Sequence, residues 1–144
     1  MKSTISGSWI TSDMVDCSIE FLDKDGQPLE MAAVLKTQFL SCSKITHVGD
    51  TFGISPVIIS VVDDIESKAF EVALGLMDDA DYVQLRIDRY FSIGTERSLY
   101  RRTILRRVQI LAVSQTILAH EKIPAIEIEV ACDDAVVQYG KELS

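Results

Sequence analysis

One compact amphipathic segment set between alternating ones limits what this chain can become. Ile65, Ala69, Val72, Ala73 and Leu76 recur at the three- and four-residue steps that share one face of an α-helix. Asp64 has the chemistry of an N-cap, since its carboxylate can accept from an unpaired N–H of the first turn. Glu66 adds negative charge where the helix dipole favours it. Gly75 and the run Asp78, Asp79, Ala80, Asp81 end the segment, so the spacing predicts one short helix over Asp64 to Leu76. Beyond it Val83, Leu85, Ile87 and Phe91 alternate with Gln84, Arg86, Asp88 and Tyr90, the period of a half-buried strand. A short helix among strands excludes a bundle.

The rest of the chain is strand-like. Ser18 to Leu22 alternates, and Asp23, Lys24, Asp25 and Gly26 supply turn chemistry before Pro28. Leu29 to Leu40 fits either period and is read as extended. His47 to Thr51 turns, and Val57 to Val62 is β-branched. Gly94 marks a hairpin loop within Ser92 to Ser98, and Leu99 to His120, free of Gly and Pro, reads as extended because of Thr103, Ile104, Val113 and Thr116. In the clearest strand Ile126, Ile128 and Val130 face inward and Glu127 and Glu129 outward. Val136 to Tyr139 closes the chain. These readings fit one domain over 1–144, with 1–14 as an arm carrying Trp9 and Ile10.

At 47% hydrophobic residues the chain can bury a core. Its weakly polar runs are far shorter than a bilayer span, and the N-terminal residues have no apolar signal core. We expect a cytoplasmic protein that does not insert in membranes and whose export, where it occurs, uses no signal peptide.

A net charge of −8 opposes general nucleic-acid binding. All seven arginines lie between Arg86 and Arg107, whereas 63–81 and 121–134 are acidic. This asymmetry has three readings: solvated strand faces, a local nucleic-acid contact, or a self-complementary surface. In the third, Arg101, Arg102, Arg106 and Arg107 of one subunit meet Glu127, Glu129 or Asp133 of another.

Little in the sequence points to catalysis. The glycines form no phosphate-binding fingerprint, and Cys17, Cys42 and Cys132 have no zinc spacing. Cys42 with His47, or Cys132 with His120, offers a nucleophile–base pair only if the fold brings the two together; a core thiol and a surface histidine is the alternative. Asp63, Asp64, Asp78, Asp79 and Asp81 lack the ordered spacing of a calcium loop. No cofactor, metal or enzymatic activity is expected.

From Phe52 onward the order of elements resembles the Hcp (haemolysin-coregulated protein) family of type VI secretion systems and the tail-tube proteins of contractile phages. The resemblance lies in an aromatic-led strand from Phe52, a D-x-x-S approach at Asp64 and Ser67, and a short helix with Ala69, Phe70 and Leu76. It continues through the strand Tyr82 to Phe91, the long segment Tyr100 to Leu118, a P-x-E-x-I-like strand from Pro124 to Glu129, and Val136 to Tyr139. It spans somewhat over half of the chain. It implies a β-barrel of antiparallel strands with one short helix, copies closing into a hexameric ring, and rings stacking into the inner tube of an injection apparatus alongside its other proteins. The alternatives are a small-ligand-binding β-barrel and a cytosolic adaptor or chaperone.

Overall fold

The computed structural model describes residues 15–49, 53–78, 83–119 and 122–140. The arm at 1–14, the acidic residues Asp79 and Asp81, and His120 lie outside this set. Nine strands, β1 (Val15–Leu22), β2 (Phe39–Cys42), β3 (His47–Val48), β4 (Gly53–Ile54), β5 (Val57–Val62), β6 (Val83–Ile93), β7 (Glu96–Leu118), β8 (Ile123–Ala131) and β9 (Asp134–Tyr139), accompany two helices, α1 (Ala33–Thr37) and α2 (Ala69–Asp78). Every strand pairing is antiparallel.

The main sheet runs β1-β6-β7-β8-β5-β2, with β9 also on β7. It does not close: β1 and β2 are the ends of the path and do not pair, so the expected barrel is instead an open, strongly folded sheet. Closure would need hydrogen bonds between those two strands, and the residues facing each other there leave a cleft instead.

β7 makes the folding-over possible. Its residues from Glu96 to Val108 pair with β6, and those from Gln109 to Leu118 pair with β8. Just before this changeover, at the register shift between Leu105 and Val108, Arg107 adopts φ 53°, a left-handed conformation that bends a strand and re-aims it. Opposite β6, the register of β8 on Gln109–Leu118 continues as that of β9 on Arg101–Arg106, so β8 and β9 form one track along β7. Leu111 is the extra residue where Ile110↔Val130 is followed by Ala112↔Glu129, and it is consequently 52% exposed.

The core fills the fold between the two halves. Ile19 and Phe21 from β1, Leu85 and Ile87 from β6, and Leu105 and Val108 from β7 meet Val57, Ile59 and Val61 from β5 and Ile126, Ile128 and Val130 from β8. Ala69, Ala73 and Leu76 of α2 and Leu35 of α1 close one end. Large side chains of this kind each contribute roughly 1.5–3 kcal/mol when fully buried.

Two helix expectations need correction. Leu29 to Leu40 is not extended: Glu30–Ala32 forms a 3-10 turn that runs into α1, and a strand begins only at Phe39. Ala32 and Leu35, three apart, are buried while Met31 is exposed, a helical pattern. Among the described residues there are thus two short helices. The main one starts at Ala69 and not at Asp64, because Lys68 has φ 56° and interrupts the helical path. Asp64 does cap, but it caps a turn: its Oδ1 accepts from the N–H groups of Glu66 (2.8 Å) and Ser67 (2.7 Å). Ile65, assigned by its spacing to the buried face, is fully exposed.

Candidate assembly surface

The inward face of β1, β6, β7 and β9 is organised in rows that follow from the registers. Phe21, Leu85, Leu105 and Ala135 make one row, and Ile19, Ile87, Thr103 and Val137 the next. The third is Cys17, Arg89, Arg101 and Tyr139. At this row the apolar core gives way to a basic mouth.

Two clefts open there. One, of about 610 Å³, is lined by Arg89, Arg101, Thr103, Val137 and Tyr139 from the sheet and by Ile45 and His47 from the far wall. The other, of about 440 Å³, is the unclosed seam itself and runs between Asp16 and Cys17 of β1 and Phe39 to Cys42 around β2. Arg89 and Arg101 are directly opposite each other, an arrangement that costs energy for like charges. Among the described residues neither has a carboxylate within ion-pair distance, although Arg101 lies 5.6 Å from the Tyr100 ring centroid and 5.8 Å from that of Tyr139.

The other arginines singled out in the sequence are held within their own chain. Arg102 forks onto Asp88, Arg106 onto Asp134 with Nε 3.1 Å from Oδ1, and Arg107 reaches Asp133 at 2.9 Å. Asp134 is thereby held below the usual carboxylate value, chiefly by its hydrogen bond to Arg106. Glu127 and Glu129 alternate with the buried Ile126, Ile128 and Val130 and face away from the core, with no cation against them among the described residues.

The thiols are placed against nucleophilic chemistry. Burial pushes Cys42 up to about 12 and Cys132 up to about 11, and raises Cys17 as well, so all three are neutral near pH 7. Cys42 lines the seam and His47 the neighbouring cleft. No group of three His, Cys, Asp or Glu side chains among the described residues could hold a metal ion, and no helix among them is long and apolar enough to cross a membrane.

Two features escaped the sequence reading. The turn from Asp63 to Lys68 presents Ile65 between Asp64 and Glu66, and its base is tied to β8 by the Asp63 N–H donating to the Pro124 carbonyl at 2.9 Å. Beyond Val108, the edge of β7 that β6 leaves has no partner among the described strands, and Leu111 and Ile117 are exposed there. Unpaired strand edges favour association unless something covers them.

No family model matches the chain, and no curated protein does. Solved structures match it along nearly its whole length. The secreted protein Hcp3 from Pseudomonas aeruginosa is 12% identical at a TM-score of 0.63, covering 89% of this chain and 92% of that one. Hcp1 from Salmonella typhimurium is 10% identical at 0.61, covering 88% and 86%. The cap of the anti-feeding prophage, which terminates its tube, is 11% identical at 0.56, covering 96% of each chain. The chain therefore has the fold of the Hcp proteins and of the anti-feeding prophage cap.

Proposed function

We propose that this protein is a non-catalytic structural subunit that associates with copies of itself into rings, hexameric as in the expectation drawn from the Hcp resemblance, which form or adjoin the inner tube of a contractile injection apparatus. The observation that carries this reading is the shared fold with Hcp proteins and with a tube-terminating cap over 88–96% of the chain. Physical chemistry supports it. A long strand edge without a partner among the described strands and apolar side chains such as Ile117 in water are liabilities for a monomer, and cyclic association removes them.

Between copies, a basic surface meets an acidic one. Arg102, Arg106 and Arg107 already hold Asp88, Asp134 and Asp133 of their own chain, which leaves Arg101 and its neighbour Arg89 as the cations with most to gain. Glu127 and Glu129 are acids on the outer face of β8. The test is native mass by light scattering with negative-stain imaging. Rings or tubes of multiple mass are expected; a monomer at every concentration, in low and moderate salt, would overturn the reading.

A further inference from the structure

The turn that carries Ile65 and the basic cleft at the end of β9 are complementary in shape class and in charge. The turn offers one apolar side chain fully in water, flanked by Asp63, Asp64 and Glu66. No cation lies within ion-pair distance of these three acids among the described residues. The turn is not a loose loop: Asp64 ties it from within and the Pro124 carbonyl ties its base. The cleft offers Ile45, Val137 and the Tyr139 ring as apolar walls, with Arg89, Arg101 and His47 around them. Its volume of about 610 Å³ exceeds what one isoleucine side chain needs.

A chain cannot fill its own cleft. The turn sits at the Pro124 end of the β8–β9 track and the cleft at the Tyr139 end. Their partners on β7 are Ile117 and Arg101, sixteen residues apart, or roughly 50 Å of strand contour before the bend at Arg107 shortens it. Every copy therefore carries both halves of the contact at opposite ends.

We infer that the Ile65 turn of one copy seats in the Arg89–Arg101 cleft of the next, a head-to-tail contact that repeats through the assembly. Asp63 and Glu66 relieve the repulsion between the two facing arginines, and Ile65 leaves water against Ile45, Val137 and Tyr139. Because two different surfaces meet, the contact is heterologous; it closes into a ring or continues as a stack according to the rotation between copies. The inference rests on the self-association proposed above and names the surfaces that carry it.

Charge exchange tests it. One variant carries Arg89→Glu with Arg101→Glu, a second carries Asp63→Lys with Glu66→Lys, and a third carries Ile65→Ser. Each should keep the wild-type circular dichroism and melting temperature. Each should also raise the concentration for half-assembly by roughly tenfold or more in low salt. An equimolar mixture of the two charge-reversed variants should assemble again, since each then presents the sign that the other lacks. The second and third variants lie on an exposed turn, so the test stands even if the doubly reversed arginine variant folds poorly. Variants that assemble like the wild type would overturn the inference and leave the tube reading intact. So would a mixture that stays dissociated, or loss with the arginine variant alone, which would put another occupant in the cleft. A wild-type protein that never leaves the monomer would overturn both.

Discussion

Asp88 and Arg102 face each other across β6 and β7 and are joined by two hydrogen bonds, Nε to Oδ1 at 2.8 Å and Nη2 to Oδ2 at 3.1 Å. Asp88 is buried, yet it lies on the face of the sheet away from the core, under Arg102 and Arg86, whose Nε is 3.3 Å from Oδ2. Arg86 passes the connection on to Glu20 of β1 at 2.7 Å, and Lys36 of α1 joins there at 3.5 Å. A chain of alternating charges thus spans three strands and a helix.

Replacing Asp88 by Ala should be the costliest single change in that chain, at about 3 kcal/mol, because two partly buried guanidinium groups then lose their shared acceptor. Arg107→Ala, which breaks the exposed pair with Asp133, should cost no more than ~1 kcal/mol. Denaturant unfolding of both variants checks the contrast, with the midpoint shifting and the slope unchanged.

The thiols should be dispensable and slow to react. Cys17, Cys42 and Cys132 changed together to Ala should leave assembly intact. In the native protein, alkylation of Cys42 should still be accelerating at pH 10, since its thiol titrates near 12, while the unfolded chain is already saturating. The linkage has a definite sign: a thiol raised in the folded state contributes stability that is complete below pH 9 and is lost as pH climbs towards 12. A wild-type protein whose stability fell no faster at alkaline pH than that of the triple Ala variant would contradict this.

Asp134 works in the opposite direction. Its depressed value means that the bond to Arg106 contributes fully above the unfolded value of 3.8 and is lost as pH falls through the lower folded one. Asp134→Asn should therefore flatten the acid limb of the stability profile below pH 4 by the same small amount that it costs at pH 7, small because the pair is exposed and screened in moderate salt.

Gly140 admits no side chain. A Cβ there would run into the Leu99 carbonyl oxygen and come within 3.0 Å of the Tyr100 Cα, and the obstacle is backbone. Gly140→Ala should cost roughly 1–3 kcal/mol. Hydrogen exchange should show the loss first at the β7–β9 pairing from Arg101 to Tyr139.

Strand identity was legible where β-branched residues accumulate: Leu99 to His120 is read as extended, and β7 occupies nearly all of it. Leu29 to Leu40 misled because Met31, Ala33, Leu35, Thr37 and Phe39 alternate as a strand face would, while Ala32 and Leu35 satisfy a helix; over so few residues both periods fit. Spacing alone places Ile65 on the buried face of α2, because it carries no information about Lys68 turning left-handed. The basic cleft could not be read at all. It exists because Arg89 pairs with Arg101 across a hairpin whose register shifts between Arg89 and Tyr90, and because Ile45, His47 and Tyr139, remote in sequence, come to line the same cleft. Closure of the barrel was equally hidden, since it depends on whether β1 and β2, remote in sequence, come into pairing distance.

The bend at Arg107 leaves β7 unbroken through both halves of the sheet, and this determines how the fold answers a load. Hydrogen bonds between antiparallel strands lie across the strand direction, so a push along the β8–β9 track loads that ladder in shear, many bonds at once. No loop interrupts β7 between the two ends of the track. The unpaired boundary between β1 and β2 has no such ladder, so the fold resists load along β7 with many bonds at once and across that boundary with side-chain packing alone.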